Sequence, residues 1–92
     1  MVTAFILMQT ERHAVNDTAQ QLPEIEGISE VYSVSGKYDL VAIVRVPDND
    51  ALADLVTRRM PVLDGIRATE TMLAFKAYSR HDLEAMFSVG MA

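Results

Sequence analysis

Cysteine and tryptophan are absent from this 92-residue sequence, and it holds only 4 glycines and 3 prolines. Without cysteine there is no disulfide scaffold, thiolate nucleophile, iron–sulfur cluster or Cys-ligated zinc, and an intracellular, cytoplasmic protein is expected. The glycines, at 27, 36, 65 and 90, are too scattered to build a G-x-G-x-x-G or P-loop phosphate cradle. Positive charge is also short: 8 Lys and Arg stand against 13 Asp and Glu, a net charge of −5. Nucleic-acid binding draws on clustered cations facing phosphates, so direct binding is not expected. The longest apolar runs, Phe5 to Met8 and Leu40 to Val44, fall far short of the roughly 20 residues of a membrane-spanning helix. Met1 leads directly into a β-like run, with no basic stretch and no small-residue cleavage site, so no export signal is expected.

Hydrophobic residues are plentiful, at 50%. A single domain over residues 1–92 follows, yet a chain this short buries only about 60 to 65% of its unfolded surface when it folds alone, so partner surface is expected. Val2 to Gln9 (VTAFILMQ) is apolar at nearly all positions of both parities, as in a strand covered on two faces. His13 to Leu22 carries Val15, Ala19 and Leu22 at helical spacing and predicts an amphipathic helix stopped by Pro23. ISEVYSVS, after Gly27, predicts a second strand that runs to the Gly36 turn, and LVAIVRV a third, paired with it in a hairpin. Asp48, Asn49 and Asp50 start a second helix with Leu52, Leu55, Val56 and Met60 on one stripe, ending before Pro61. IRATETMLAFKAYS predicts a fourth strand with Thr69, Thr71, Leu73 and Phe75 on one face and Ile66, Ala68, Met72 and Ala74 on the other. Ser79 and Asp82 have capping-box spacing ahead of Leu83, Met86 and Phe87, which predicts a short C-terminal helix.

The order β-α-β-β-α-β predicts an α+β, ferredoxin-like βαββαβ sandwich: an antiparallel four-stranded sheet with both helices on one face. In a monomer the other face would read polar. Strands one and three show almost no charge apart from Arg45, so a two-fold dimer burying that face is expected.

Little chemistry stands out. His13 and His81 lie outside any ligand motif, and the Asp48-Asn49-Asp50 run lacks the glycine and glutamate of a calcium loop, so no metal and no cofactor is expected. An RNA-recognition sheet would need stacking aromatics on its central strands, which offer only Phe5. The methionines at 8, 60, 72 and 86 fall on apolar stripes and read as packing residues. Two features remain. In Gly36-Lys37-Tyr38-Asp39 a tight turn is followed by a phenol and a carboxylate, able to contact a small polar ligand or simply to form a hairpin loop. In Thr69-Glu70-Thr71 two hydroxyls emerge on the same face of a strand. No acid, base and nucleophile combination accompanies them, so a non-enzyme is expected.

The hairpin G-x-Y-D-L (Gly36, Tyr38, Asp39, Leu40) and the later G-[IV]-x-x-T-x-T (Gly65, Ile66, Thr69, Thr71), in this order, resemble the effector-binding and assembly (RAM) domain of the Lrp/AsnC, or feast/famine, regulators. The resemblance covers nearly the whole chain from the first strand to the fourth. It implies dimers with sheets packed face to face, octamer-like rings of dimers, and small effectors, usually amino acids, bound in clefts between dimers. Gly36, Tyr38 and Asp39 would line the cleft from the hairpin, and Thr69 and Thr71 from the fourth strand. Complete regulators carry an N-terminal helix-turn-helix domain. Here the first strand begins at Val2, so the chain resembles the stand-alone members.

These readings converge on a ligand-sensing, homo-oligomeric module that regulates transcription through a partner, such as a complete Lrp/AsnC regulator. The rival is a small dimeric α/β-barrel enzyme, a cofactor-free monooxygenase or isomerase, with His13 or Tyr32 as its polar group. A third reading is an assembly module without ligand. Asp39 is expected to pair with an effector's ammonium, so replacing it should weaken binding far more than folding.

Overall fold

In a computed structural model, which describes residues 1–78 and Arg80, the first strand, β1, spans Val2–Thr10. Ala4, Ile6 and Met8 are fully buried and Thr10 nearly so, while the intervening Thr3, Phe5, Leu7 and Gln9 are half-buried. This is the two-residue period of a pleated strand with one face under helices and the other open. β2 is Ile28–Ser33, β3 is Leu40–Val46 and β4 is Ile66–Leu73. The strands form one four-stranded sheet in the order β2-β3-β1-β4, every neighbouring pair antiparallel. With β3 inserted between β1 and β2, the chain has the ferredoxin-like βαββαβ sandwich expected from its sequence.

Residues directly opposite one another in an antiparallel pair project to the same face. Ala42, Val44 and Val46 of β3 therefore join Ala4, Ile6 and Met8 under the helices, where Leu22, Leu55 and Met60 complete the core. On the open face, Phe5 and Leu7 stand beside Ile43 and Val41, with Tyr32 and Met72 about half exposed at the flanks.

The helical segments are less regular than their sequence patterns suggest. The first helix, expected over residues 13–22, is an α-helix (α1) only at Val15–Gln21, entered through a 3-10 turn at Arg12–Ala14 and left through another at Leu22–Glu24. Pro23 ends the α-helical bonding because it has no N–H to donate, yet it sits comfortably in the first turn of the tighter coil. α2 (Asn49–Asp54) starts as expected: the Asp48 side chain accepts the Ala51 N–H at 2.8 Å. It then widens into a π-helical turn at Leu55–Arg59 and tightens into a 3-10 turn at Met60–Val62. The expected stop before Pro61 is thus corrected. The chain coils through Pro61 because the change of hydrogen-bonding pattern avoids the donor that proline lacks.

Two strands are shorter than their sequence patterns. β2 stops at Ser33 rather than Ser35, because its partner β3 begins only at Leu40 and Val34 N–H instead closes the loop on the Asp39 carbonyl at 3.0 Å. β4 stops at Leu73, opposite Ala4 of β1, and one further bond, from the Ala74 N–H to the Thr3 carbonyl at 2.9 Å, continues the pairing before residues 75–78 leave the strand. The strict alternation expected along β4 is broken by an irregularity opposite Gln9 and Thr10, which places Ile66 opposite buried Thr10 rather than on the face of Ala68. Met8 and Met60 are core residues, as their stripes predict. The expected C-terminal helix with Met86 lies outside the described residues.

Candidate functional site

The loop of residues 34–39 joins β2 to β3 and folds over the C-terminal end of β1. Gly36 supplies the turn, with φ of 105° and nothing within 4 Å of where a Cβ would stand. Three hydrogen bonds then fasten the loop to β1. Gln9 Nε2 donates to the Lys37 carbonyl at 3.1 Å, Asp39 N–H donates to the Met8 carbonyl at 2.8 Å, and the Thr10 N–H donates to Asp39 Oδ2 at 2.9 Å. The third bond has a clear cause. β3 pairs with β1 no further than Met8 opposite Leu40, so the next β1 donor facing that side would be left without a partner, and the carboxylate supplies one.

A fourth contact crosses the sheet. The Tyr38 hydroxyl donates to Glu70 Oε1 on β4, reaching over β1. The carboxylate beside it pushes the Tyr38 phenol above its ordinary ionisation range, chiefly through this hydrogen bond. The Lys37 ammonium lies 5.8 Å from the centre of the same ring.

The sequence-derived site residues therefore fall into two groups. Gly36, Tyr38 and Asp39 come together at the hairpin end of the sheet. Thr69 and Thr71 pair with Met8 and Ile6 and so project to the helix-covered side, whereas Glu70, opposite Leu7, projects to the open side with Tyr38. Thr69 and Thr71 are exposed because β4 is an edge strand that the helices only partly cover. Thr69 also lines a recess of about 350 Å³ between β4 and the coiled turns that follow α2, walled by Val56, Met60, Leu63 and Ile66. Within one chain the threonines and the hairpin do not converge on a common point.

Glu70 is the residue that sequence reasoning passed over. Its signal was available: flanked by two threonines, it must project to the face opposite theirs, which places a carboxylate on a face otherwise rich in Phe5, Leu7 and Met72. Gly65 of the second motif has a packing role. A Cβ there would stand 2.5 Å from Thr18 Oγ1 and 2.7 Å from Ala14 Cβ, so α1 sits directly on it.

The two groups considered for a catalytic alternative do not meet. His13 lines a polar recess with Glu11, Asp17 and Asp64 ahead of β4, while Tyr32 lies on β2 at the opposite edge of the sheet. The neighbouring Glu30 carboxylate raises the pKa of the Tyr32 phenol. Among the described residues no group of three or more His, Asp or Glu is placed to hold a metal ion, and no helix is long and apolar enough to cross a membrane.

Comparison with known proteins assigns this arrangement to a family. The model of the Lrp/AsnC ligand binding domain matches residues 3–83. A solved protein of Thermus thermophilus, TTHA0845, is 45% identical, with a TM-score of 0.81 over 87% of this chain and 100% of its own. An uncharacterised HTH-type transcriptional regulator of Pyrococcus horikoshii, PH1916, is 30% identical over 76 residues, which cover 79% of this chain and 51% of the relative. The feast or famine regulatory protein Rv3291c of M. tuberculosis, solved in complex with L-methionine, is 28% identical, with a TM-score of 0.72 over 87% of this chain and 54% of its own. The chain spans about half the length of the curated relatives it matches. It belongs to the Lrp/AsnC ligand-binding domain family.

Proposed function

We propose that residues 1–92 form a single effector-binding and oligomerisation domain that senses a small amino acid or related metabolite at subunit interfaces and modulates transcription indirectly. The observation that carries this reading is family membership together with a 28%-identical relative of the same fold that holds L-methionine. The ligand would lie in a cleft lined by Gly36, Tyr38 and Asp39 from the hairpin and by Thr69 and Thr71 from β4. Because the hairpin and the threonines face opposite sides of one sheet, a cleft between subunits suits them: one subunit offers its hairpin and another its threonines.

The open face supports homodimers. Phe5, Leu7, Val41 and Ile43 are only half-buried in the single chain, and a second copy packed on them would remove that apolar surface from water. Dimers of this kind would assemble further into octamer-like rings. No duplex DNA binding is assigned to a chain of net charge −5, and a complete Lrp/AsnC regulator assembled with it would carry the response to DNA. The reading places the domain in the cytoplasm, with no enzymatic step and no cofactor.

A thermal-shift screen of the amino acids, paired with light scattering, tests the proposal. A ligand bound only by the folded assembly raises its stability by mass action. Saturable stabilisation by one amino acid or a few related ones, on a particle larger than a monomer, is the expected result. A stable folded monomer that no amino acid stabilises would defeat it.

A further inference from the structure

Two carboxylates stand at the hairpin end of the sheet, and they are not equally free. Asp39 Oδ2 is engaged with the Thr10 N–H at 2.9 Å in a half-buried position, where it completes the hydrogen bonding of β1. Glu70 is exposed on the edge strand and, among the described residues, receives a hydrogen bond only from the neutral Tyr38 phenol. The ion pairs found among the described residues, Arg58 with Asp54 and Arg67 with Glu11, leave its charge without a cationic partner. Lys37, the nearest hairpin cation, lies toward the Tyr38 ring instead.

Glu70 meets Tyr38 on the open face of the sheet, and a carboxylate with one oxygen engaged by a phenol has its second oxygen left to accept another donor. Ammonium is the ligand group that this pair matches: the carboxylate supplies a charge-assisted acceptor and the ring a cation-attracting surface. We propose that Glu70, oriented by Tyr38, is the group that accepts the α-ammonium of the effector, and that Asp39 is a positioning residue which holds the hairpin against β1. The proposal rests on the amino-acid-sensing reading above. It replaces the role that sequence reasoning gave to Asp39, and it adds a binding residue that lies outside both motifs' fixed positions.

The test is calorimetric titration of the full chain with L-methionine and with 4-(methylthio)butanoate, its analogue lacking the ammonium. The proteins are the parent, Glu70→Gln and Asp39→Asn, each sized by sedimentation. The amide introduced by Glu70→Gln can still accept the Tyr38 hydrogen bond, so the hairpin stays in place while the charge is lost. The expected result is that the parent prefers L-methionine over the analogue, that Glu70→Gln weakens L-methionine about tenfold or more while leaving the analogue unchanged, and that Asp39→Asn keeps the preference. A Glu70→Gln protein with the parent's preference, or a preference lost only in Asp39→Asn, overturns the assignment and leaves amino-acid sensing intact. If the parent binds another amino acid instead, the same comparison is made with that amino acid and its desamino analogue. If the parent binds none, the sensing reading fails and this assignment fails with it.

Discussion

The Asp39 carboxylate accepts the main-chain N–H of Thr10 at 2.9 Å, two residues beyond the last pairing of β1 with β3. The side chain thus takes the place of a strand that has ended. From sequence, replacing Asp39 is expected to change folding far less than ligand binding; this geometry adds a cost to folding. Asp39→Ala leaves a part-buried donor unpaired, so chemical denaturation should show a loss of about 1 to 3 kcal/mol in the absence of any ligand. An unchanged midpoint would mean that water replaces the carboxylate without cost.

The other polar group of Thr10 faces the helix-covered side of the sheet. Its hydroxyl is buried and has no hydrogen-bond partner among the described residues. Thr10→Val keeps the β-branched shape and the main-chain N–H to Asp39, and removes an unsatisfied polar atom from the core. Thermal and urea unfolding should therefore show a more stable protein, by about 1 kcal/mol. A less stable variant would indicate a buried water bonded to that hydroxyl.

The two motif glycines should fail for different reasons. At Gly36, with φ of 105° and open space around it, alanine meets only backbone strain, and a loss of about 1 kcal/mol is expected. At Gly65 the added methyl collides with Thr18 and Ala14 of the α1 region, and overpacking costs about 1 to 3 kcal/mol. Removing the opposing methyl with Ala14→Gly should recover part of the second loss and none of the first. Denaturation of the two single and two double variants reads this directly.

Much of the fold was legible because burial writes a period into the sequence. The buried Ala4, Ile6 and Met8 alternate with Phe5 and Leu7, and Asp48 marks the helix start it caps. What escaped depends on distant partners. The end of β2 is set by where β3 begins, and the turn of Ile66 toward the core by an irregularity against Gln9 and Thr10. The site was legible as residue types. That Thr69 and Thr71 share a face follows from their spacing, but that this face is opposite to the one Tyr38 reaches requires the register with β1.

The Tyr38–Glu70 contact predicts an alkaline response. Tyr38 ionises above its ordinary value of 10.0 because the phenol donates to a carboxylate. A raised folded-state pKa contributes stability that is fully present below the unfolded value and is lost as pH rises through the folded one. The melting temperature should consequently fall above pH 10 more steeply in the parent than in Tyr38→Phe. Absorbance titration of the phenols should show one fewer late-ionising group in that variant. Identical curves would show that the hydrogen bond is absent in solution.

Binding of an amino acid between subunits is read by titrating L-methionine and the other amino acids into the parent and Thr71→Val, with sedimentation of each. Thr71→Val keeps the strand's shape and deletes one hydroxyl. The expected result is saturable binding by the parent, an assembly of unchanged size in the variant, and affinity lowered there by roughly tenfold. Saturable binding by a monomer, or no binding of any amino acid by an assembled parent, would contradict it.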